Sequence, residues 1–145
     1  MTGVMYMSIE SQQDRILTYD REIDALNAEI NALKREMEQI LEAETKRNRL
    51  EGAFIDYISR EKELAKRMAD EERSRVAIGI GSRMNKLLTG SKYRAAVNEL
   101  DGIKKALIRR KNAIDNRIAT CKRKIATLQD NIRYLNNQIS RLDGR

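Results

Sequence analysis

The sequence predicts an all-α protein: a long antiparallel helical hairpin of the coiled-coil kind, with a short helical turn region near residues 76–91. Two observations predict it. Apolar residues recur at alternating spacings of three and four in both halves of the chain, and none of the 145 residues is Pro. Such spacing places a narrow apolar stripe on a helix, which another helix must cover. Pro costs about 3 kcal/mol inside a helix, so a chain without it suits long uninterrupted helices.

The two halves carry opposite net charge, which predicts that they pair within one chain. Residues 1–74 hold 12 Lys and Arg against 17 Asp and Glu, a net charge of −5. Residues 75–145 hold 17 against 5, a net charge of +12. Charges beside an apolar stripe select the partner and the orientation of a helix. A hairpin pairs acidic with basic, whereas a parallel dimer would pair like with like.

The first helix is expected to span residues 8–75. Its stripe is regular from Ile9 to Ile40 and then falters, because three polar residues occupy stripe positions: Glu44, Arg47 and Glu51. We expect these residues to weaken the pairing locally without breaking the helix. Apolar spacing then returns in a wider stripe, which predicts contact with more than one neighbouring helix.

The clearest interruption lies in residues 76–91, where three of the seven glycines are found: Gly79, Gly81 and Gly90. We expect a turn at Gly79–Ser82, a short helix over residues 82–88 and a second break at Thr89–Ser91. The last helix is expected over residues 91–143. The 145 residues are expected to form a single helical hairpin domain.

The composition predicts no enzyme, no metal site and no cofactor. The chain has no His, and its one cysteine, Cys121, falls on the apolar stripe, where we interpret it as a small core residue. The glycines near residue 80 lack the spacing of a phosphate-binding loop. The basic second half could attract nucleic acid, but it offers only Tyr93 and Tyr134 for stacking. We therefore do not expect nucleic-acid binding.

The sequence also predicts where the protein is found. It has no run of 18 apolar residues and no signal-peptide pattern at its start, so we expect no membrane span. The expected location is the cytoplasm, or outside the cell by a route that needs no cleaved signal. Met1, Met5 and Met7 are alternative starts.

A protein-binding surface is predicted where the wider stripe of the first helix meets the apolar residues around Gly90. Aromatic and Met side chains commonly anchor interfaces. We expect these side chains to pack internally and to leave part of their apolar surface for the helical domain of a cognate protein: Phe54, Tyr57, Ile58, Leu64, Met68, Leu87, Leu88, Gly90, Tyr93, Val97 and Leu100.

The segment Leu88-Thr-Gly90, with Tyr93 and Val97 after it, resembles the central Trp-x-Gly turn of the small helical WXG-like proteins that partner LXG toxins of type VII secretion. Leu88 stands at the position of the Trp, and Val97 stands where a Phe is usual. The long flanking helices are similar to the arms of that family. The resemblance implies a non-enzymatic adaptor that binds the helical N-terminal domain of a cognate toxin, with or without a second small helical partner, and assists its secretion.

Two other functions stay open at this level. The chain could be a self-assembling structural coiled coil, because the same stripes could pair with a second copy. It could also be an export chaperone of another secretion system, since such chaperones use helical hairpins too.

Overall fold

The structure is a computed structural model that describes residues 8–70 and 74–143. Three helices follow one another in these ranges: α1 (Ile9–Ala69), α2 (Arg75–Thr89) and α3 (Ser91–Asp143). The described residues include no β-strand, and the predicted all-α hairpin-like packing is confirmed. The alternative starts at Met1, Met5 and Met7 lie outside the described residues.

Contacts divide the chain into two compact units. Unit 1 consists of Met1–Glu38 and Asn112–Arg145, and unit 2 consists of Gln39–Lys111. Unit 1 therefore pairs the start of α1 with the end of α3. Unit 2 combines the end of α1, the whole of α2 and the start of α3.

Unit 1 is held together by the two regular apolar stripes. Ile114 and Cys121 are fully buried, and Ile30 and Ile125 are nearly so. Three half-buried side chains pack against the cluster of Ile30, Cys121 and Ile125: Ile23, Leu26 and Ile118. Burial of an aliphatic side chain of this size contributes about 1.5–3 kcal/mol. Cys121 is a free, buried thiol, in agreement with its interpretation as a core residue.

An ion pair joins the acidic and basic helices of unit 1. The Arg117 guanidinium donates from Nε to Oε1 of Glu29 at 2.5 Å and from a terminal nitrogen to Oε2 at 2.9 Å. These hydrogen bonds hold the pKa of Glu29 below its ordinary value, and the positive charge of Lys124 adds to the effect. Hydrogen bonding to Glu29 likewise raises the pKa of Arg117.

The predicted turn at Gly79–Ser82 is wrong, because α2 runs through both of its glycines. The break comes earlier: α1 ends at Ala69 rather than near residue 75, and Ser74 caps α2 by accepting a hydrogen bond from the Ala77 amide at 3.1 Å. The second predicted break is present at Gly90, which is extended and ends α2. A glycine costs a helix about 1 kcal/mol, which packing can outweigh.

Gly81 shows how packing outweighs that cost. Gly81 and Ala65 are both buried, at the place where α2 lies against α1. A Cβ atom added to Gly81 would lie 2.5 Å from the backbone nitrogen of Ala69 and 3.0 Å from the Cβ of Met68. It would lie closer still to the carbonyl oxygen of Ala65. The absence of a side chain at Gly81 therefore allows the close approach of α2 to α1.

Candidate helix-docking surface

The stripe of α1 continues into unit 2 with polar side chains in buried positions. Arg47 is only 8% exposed, and its Nε donates to the backbone oxygen of Leu100 on α3 at 2.8 Å. Its terminal nitrogens donate to Asn48 at 2.8 Å and to the carboxylate of Glu51. The Nε bond thus links α1 to α3 in unit 2, while residues of α1 itself hold the two terminal nitrogens.

A second polar contact crosses between the same two helices. Nζ of Lys111 lies 3.0 Å from Oε1 of Glu44, and both side chains are largely shielded from solvent. Replacing both partners of a buried ion pair by apolar residues of the same shape often leaves stability unchanged or improves it. Removing only one partner destabilises the fold, because the other charge stays buried and unpaired. Two of the polar stripe positions, Glu44 and Arg47, are therefore bonded to α3, whereas Glu51 pairs with Arg47 within α1.

Two aromatic side chains fix the start of α3 against α1. The rings of Phe54 and Tyr93 are stacked, with centroids 5.9 Å apart and an angle of 17° between their planes. Nζ of Lys62 lies 5.1 Å from the centroid of the Tyr93 ring, within range of a cation–π interaction. Phe54 and Tyr93 therefore contribute mainly to packing within unit 2.

The structure separates the predicted partner-binding residues into two groups. Ile58 is buried, and Gly90 ends α2. Five others are half-buried: Phe54, Met68, Leu88, Tyr93 and Leu100. Four remain exposed on the surface of unit 2: Tyr57, Leu64, Leu87 and Val97. Only these four of the predicted residues, at 40% to 68% exposure, leave a large part of an apolar side chain for a partner.

Exposed large apolar side chains are concentrated in unit 2. Of fourteen in the described part of the chain, twelve belong to unit 2, and only Leu17 and Tyr134 belong to unit 1. Unit 2 also holds the whole net charge, with 18 Lys and Arg against 11 Asp and Glu, whereas unit 1 holds 11 of each. Concentrated exposed apolar surface marks interaction sites on soluble proteins.

Part of this surface forms a row along α1. Leu50, Tyr57 and Leu64 are spaced seven residues apart, which puts them on one face of the helix, and they are 61%, 58% and 45% exposed. The sequence prediction included Tyr57 and Leu64 but missed Leu50. The signal was present, because Leu50 extends the same seven-residue spacing.

A second exposed set lies on α2. Val76, Ile80 and Leu87 fall on one face of this helix and are 72%, 41% and 68% exposed. Val76 and Ile80 were missed in the sequence because a turn was expected at Gly79–Ser82. A turn at Gly79–Ser82 would interrupt the helix, so the spacing of Val76, Ile80 and Leu87 would not place them on one face.

The described residues include neither a cluster that could hold a metal ion nor a helix that could span a membrane. Across residues 8–70 and 74–143, no group of three His, Cys, Asp or Glu side chains is placed to hold a metal ion. None of the helices in these ranges is both long enough and apolar enough to cross a membrane.

No protein-family model matches the chain, and the searches of curated proteins and of solved structures found no match. The resemblance to WXG-like partners of LXG toxins stays a prediction. Function has to be inferred from the surface of unit 2 itself.

Proposed function

We propose that this protein is a non-enzymatic helical adaptor whose unit 2 binds the helices of a partner protein. The observation that carries the proposal is that twelve exposed large apolar side chains of the described residues lie in unit 2. Full burial of a Leu, Ile or Val side chain contributes about 1.5–3 kcal/mol, so covering a few of them supplies a substantial binding free energy. Association costs about 4–15 kcal/mol, which such a surface can exceed.

The partner that we propose is the helical N-terminal domain of a secreted LXG-type toxin. The segment that resembles the family, Leu88-Thr-Gly90 with Tyr93, lies in unit 2, the same unit as the exposed apolar side chains. There the segment ends α2 and begins α3. The adaptor would bind the toxin domain in the cytoplasm and accompany it to the type VII secretion machinery, with or without a second small helical partner.

Co-expression with the helical domain of a toxin encoded next to this gene tests the proposal. Leu87→Asp places a charge on the exposed surface of unit 2, and Leu17→Asp makes the same change at the exposed Leu17 of unit 1. We expect size-exclusion chromatography to show a stable complex for the unaltered protein and for Leu17→Asp. We expect Leu87→Asp to weaken it by about tenfold or more, as loss of an interface anchor does.

The outcomes separate the parts of the proposal. If the toxin domain never copurifies with the unaltered protein, the assignment to toxin secretion is wrong. If both Asp variants copurify equally well, the partner does not use the surface of unit 2 near Leu87.

A self-assembling scaffold is the second candidate, because the seven-residue spacing of the row on α1 is also the spacing by which identical helices pair. Sedimentation of the pure protein tests it. A tight symmetric oligomer without any partner would support the scaffold, and a monomer would support the adaptor. An export chaperone of another secretion system would differ only in the identity of the partner that copurifies.

A further inference from the structure

The apolar row on α1, made up of Leu50, Tyr57 and Leu64, has a basic border. In a helix, the neighbours of a residue lie three and four positions away. On the side away from the buried stripe, these neighbours are Lys46, Ala53, Arg60 and Arg67, and all of them are exposed. The row spans 15 residues, with about 21 Å of helix between Leu50 and Leu64, so a partner helix of about four turns would cover it.

One acidic residue, Glu61, adjoins the row on its other side, toward the buried stripe, and is half-buried. The exposed acidic residues of the same part of α1 lie further from the row. Asp56 and Glu63 fall one column beyond the basic border, as helical geometry places them. Glu63 pairs with Arg67 at 3.2 Å, but both side chains are about two-thirds exposed or more. An exposed pair of this kind contributes little, so it does not prevent Arg67 from meeting a second carboxylate.

From this arrangement we infer that the row of Leu50, Tyr57 and Leu64 is the docking site for one amphipathic helix of a partner protein, whose apolar stripe is bordered by Asp or Glu. The apolar row supplies the contact area. The basic border makes the site selective, because complementary charge fixes the partner and its orientation, and like charge opposes binding. The inference rests on the proposed function, that unit 2 binds helices of a partner protein, and it specifies the kind of helix that is bound.

A second copy of the chain fits this row poorly. Two identical rows packed antiparallel would bring Arg67 of each copy toward Lys46 of the other, while Arg60 of each copy would face Ala53 and find no carboxylate there. Unit 1 of a second copy offers no complementary row either. Its positive and negative charges balance, and Leu17 is the single exposed large apolar residue in the described part of α1 that belongs to unit 1. The basic border therefore favours a different protein over a homodimer.

The test uses the full chain with a cysteine introduced by Tyr57→Cys. The natural Cys121 is fully buried, so a maleimide reagent is expected to report on position 57 alone. The probes are two synthetic 21-residue helices with the same leucine stripe, one bordered by Glu and the other by Lys. A Leu17→Cys variant serves as the matched control, since Leu17 is an exposed residue of α1 in unit 1.

We expect the Glu-bordered helix to protect position 57 from labelling and to bind at least about tenfold more tightly than the Lys-bordered helix. Position 17 should be labelled equally with and without either peptide. A variant that combines Lys46→Glu, Arg60→Glu and Arg67→Glu should reverse the preference. Its control changes the same number of charges on exposed residues of α1 in unit 1 and should keep the preference: Arg15→Glu, Arg21→Glu and Lys34→Glu.

Four results would overturn the inference: equal affinity for the two peptides, no protection of position 57, protection of position 57 in the concentrated pure protein, or stronger protection by anionic lipid vesicles than by the Glu-bordered helix. The third result would assign the row to a second copy, and the fourth would assign it to a membrane surface. Circular dichroism of each variant shows whether its helices are intact.

The same labelling separates this inference from the proposed function. If the toxin domain forms a complex in which position 57 is still labelled, the row is not the docking site, and the adaptor function stands. If the Glu-bordered helix binds but no toxin domain does, the row stands and the toxin assignment is wrong.

Discussion

Replacing Gly81 by Ala is expected to destabilise unit 2, whereas the same replacement at Gly79 is expected to stabilise it. Both glycines lie inside α2, two residues apart, so Ala improves the helix propensity of both by about 0.8–1.0 kcal/mol. A Cβ atom at Gly79 meets nothing within 4 Å. A Cβ atom at Gly81 would lie too close to the backbone of α1 at Ala65 and Ala69.

The difference between the two variants measures the steric cost alone, because the gain in propensity is common to both. Overpacking of this kind costs about 1–3 kcal/mol. The cost at Gly81 should be at the upper end, since backbone atoms cannot rotate aside as a flexible side chain can. We expect Gly79→Ala to raise the free energy of unfolding by about 1 kcal/mol and Gly81→Ala to lower it by about 2 kcal/mol.

Urea unfolding followed by circular dichroism at 222 nm measures both changes. Amide hydrogen exchange in α2 adds a local measurement, because the lost contacts are those that hold this helix against α1. Gly102→Ala is a further control: Gly102 lies in α3 and also has open space around it, so the variant should be stabilised like Gly79→Ala. Equal stability of the Gly79 and Gly81 variants would refute the close approach of α2 to α1.

Three further predictions concern the packing and the ion pairs. Arg47→Ala should lower the free energy of unfolding by about 1–3 kcal/mol in urea titrations. Arg47→Met, which keeps the volume, should lower it by less than about 1.5 kcal/mol, and a larger loss for Arg47→Met would contradict the prediction. Ile114→Ala should cost about 2–5 kcal/mol in the same assay, because Ile114 is fully buried, whereas Ile108→Ala, at 41% exposure, should cost far less. Because the folded state lowers the pKa of Glu29 from its ordinary 4.5, its stabilising effect is present above that value and is lost as the pH falls through the lowered pKa. Thermal unfolding between about pH 5 and about pH 3 should therefore be less pH-dependent for Glu29→Gln than for the unaltered protein, and an unchanged slope would show that the pair does not contribute.

The core of unit 1 was predictable because its residues follow one simple rule. Alternating spacings of three and four place Ile30, Ile114 and Cys121 on the covered faces of their helices, whatever the details of the partner helix. The opposite charge of the two halves predicted their pairing, and the ion pair of Glu29 and Arg117 is one such contact. Local spacing and charge sufficed because each helix of unit 1 has one main neighbour.

The candidate site was only partly predictable. Apolar composition drew attention to unit 2, but it did not distinguish Ile58, which is buried, from Tyr57, which is exposed. Adjacent residues of a helix point in different directions, and the direction that becomes buried depends on where the third helix lies. That position could not be obtained from the wider stripe, which predicted a further neighbour without locating it.

The sequence by itself determined that this chain is helical, that its two halves are complementary, and which residues pair them in unit 1, because a repeat of seven residues and the sign of a charge are local properties. Only the tertiary structure decided that α2 runs through its glycines, that Arg47 is bonded to the backbone of α3, and that apolar surface remains exposed in unit 2. These outcomes depend on contacts between segments distant in sequence. By helix propensity alone, Gly81 predicts an interruption of the helix. Only the nearby backbone of α1 shows that Gly81 lies inside α2 and permits close packing there.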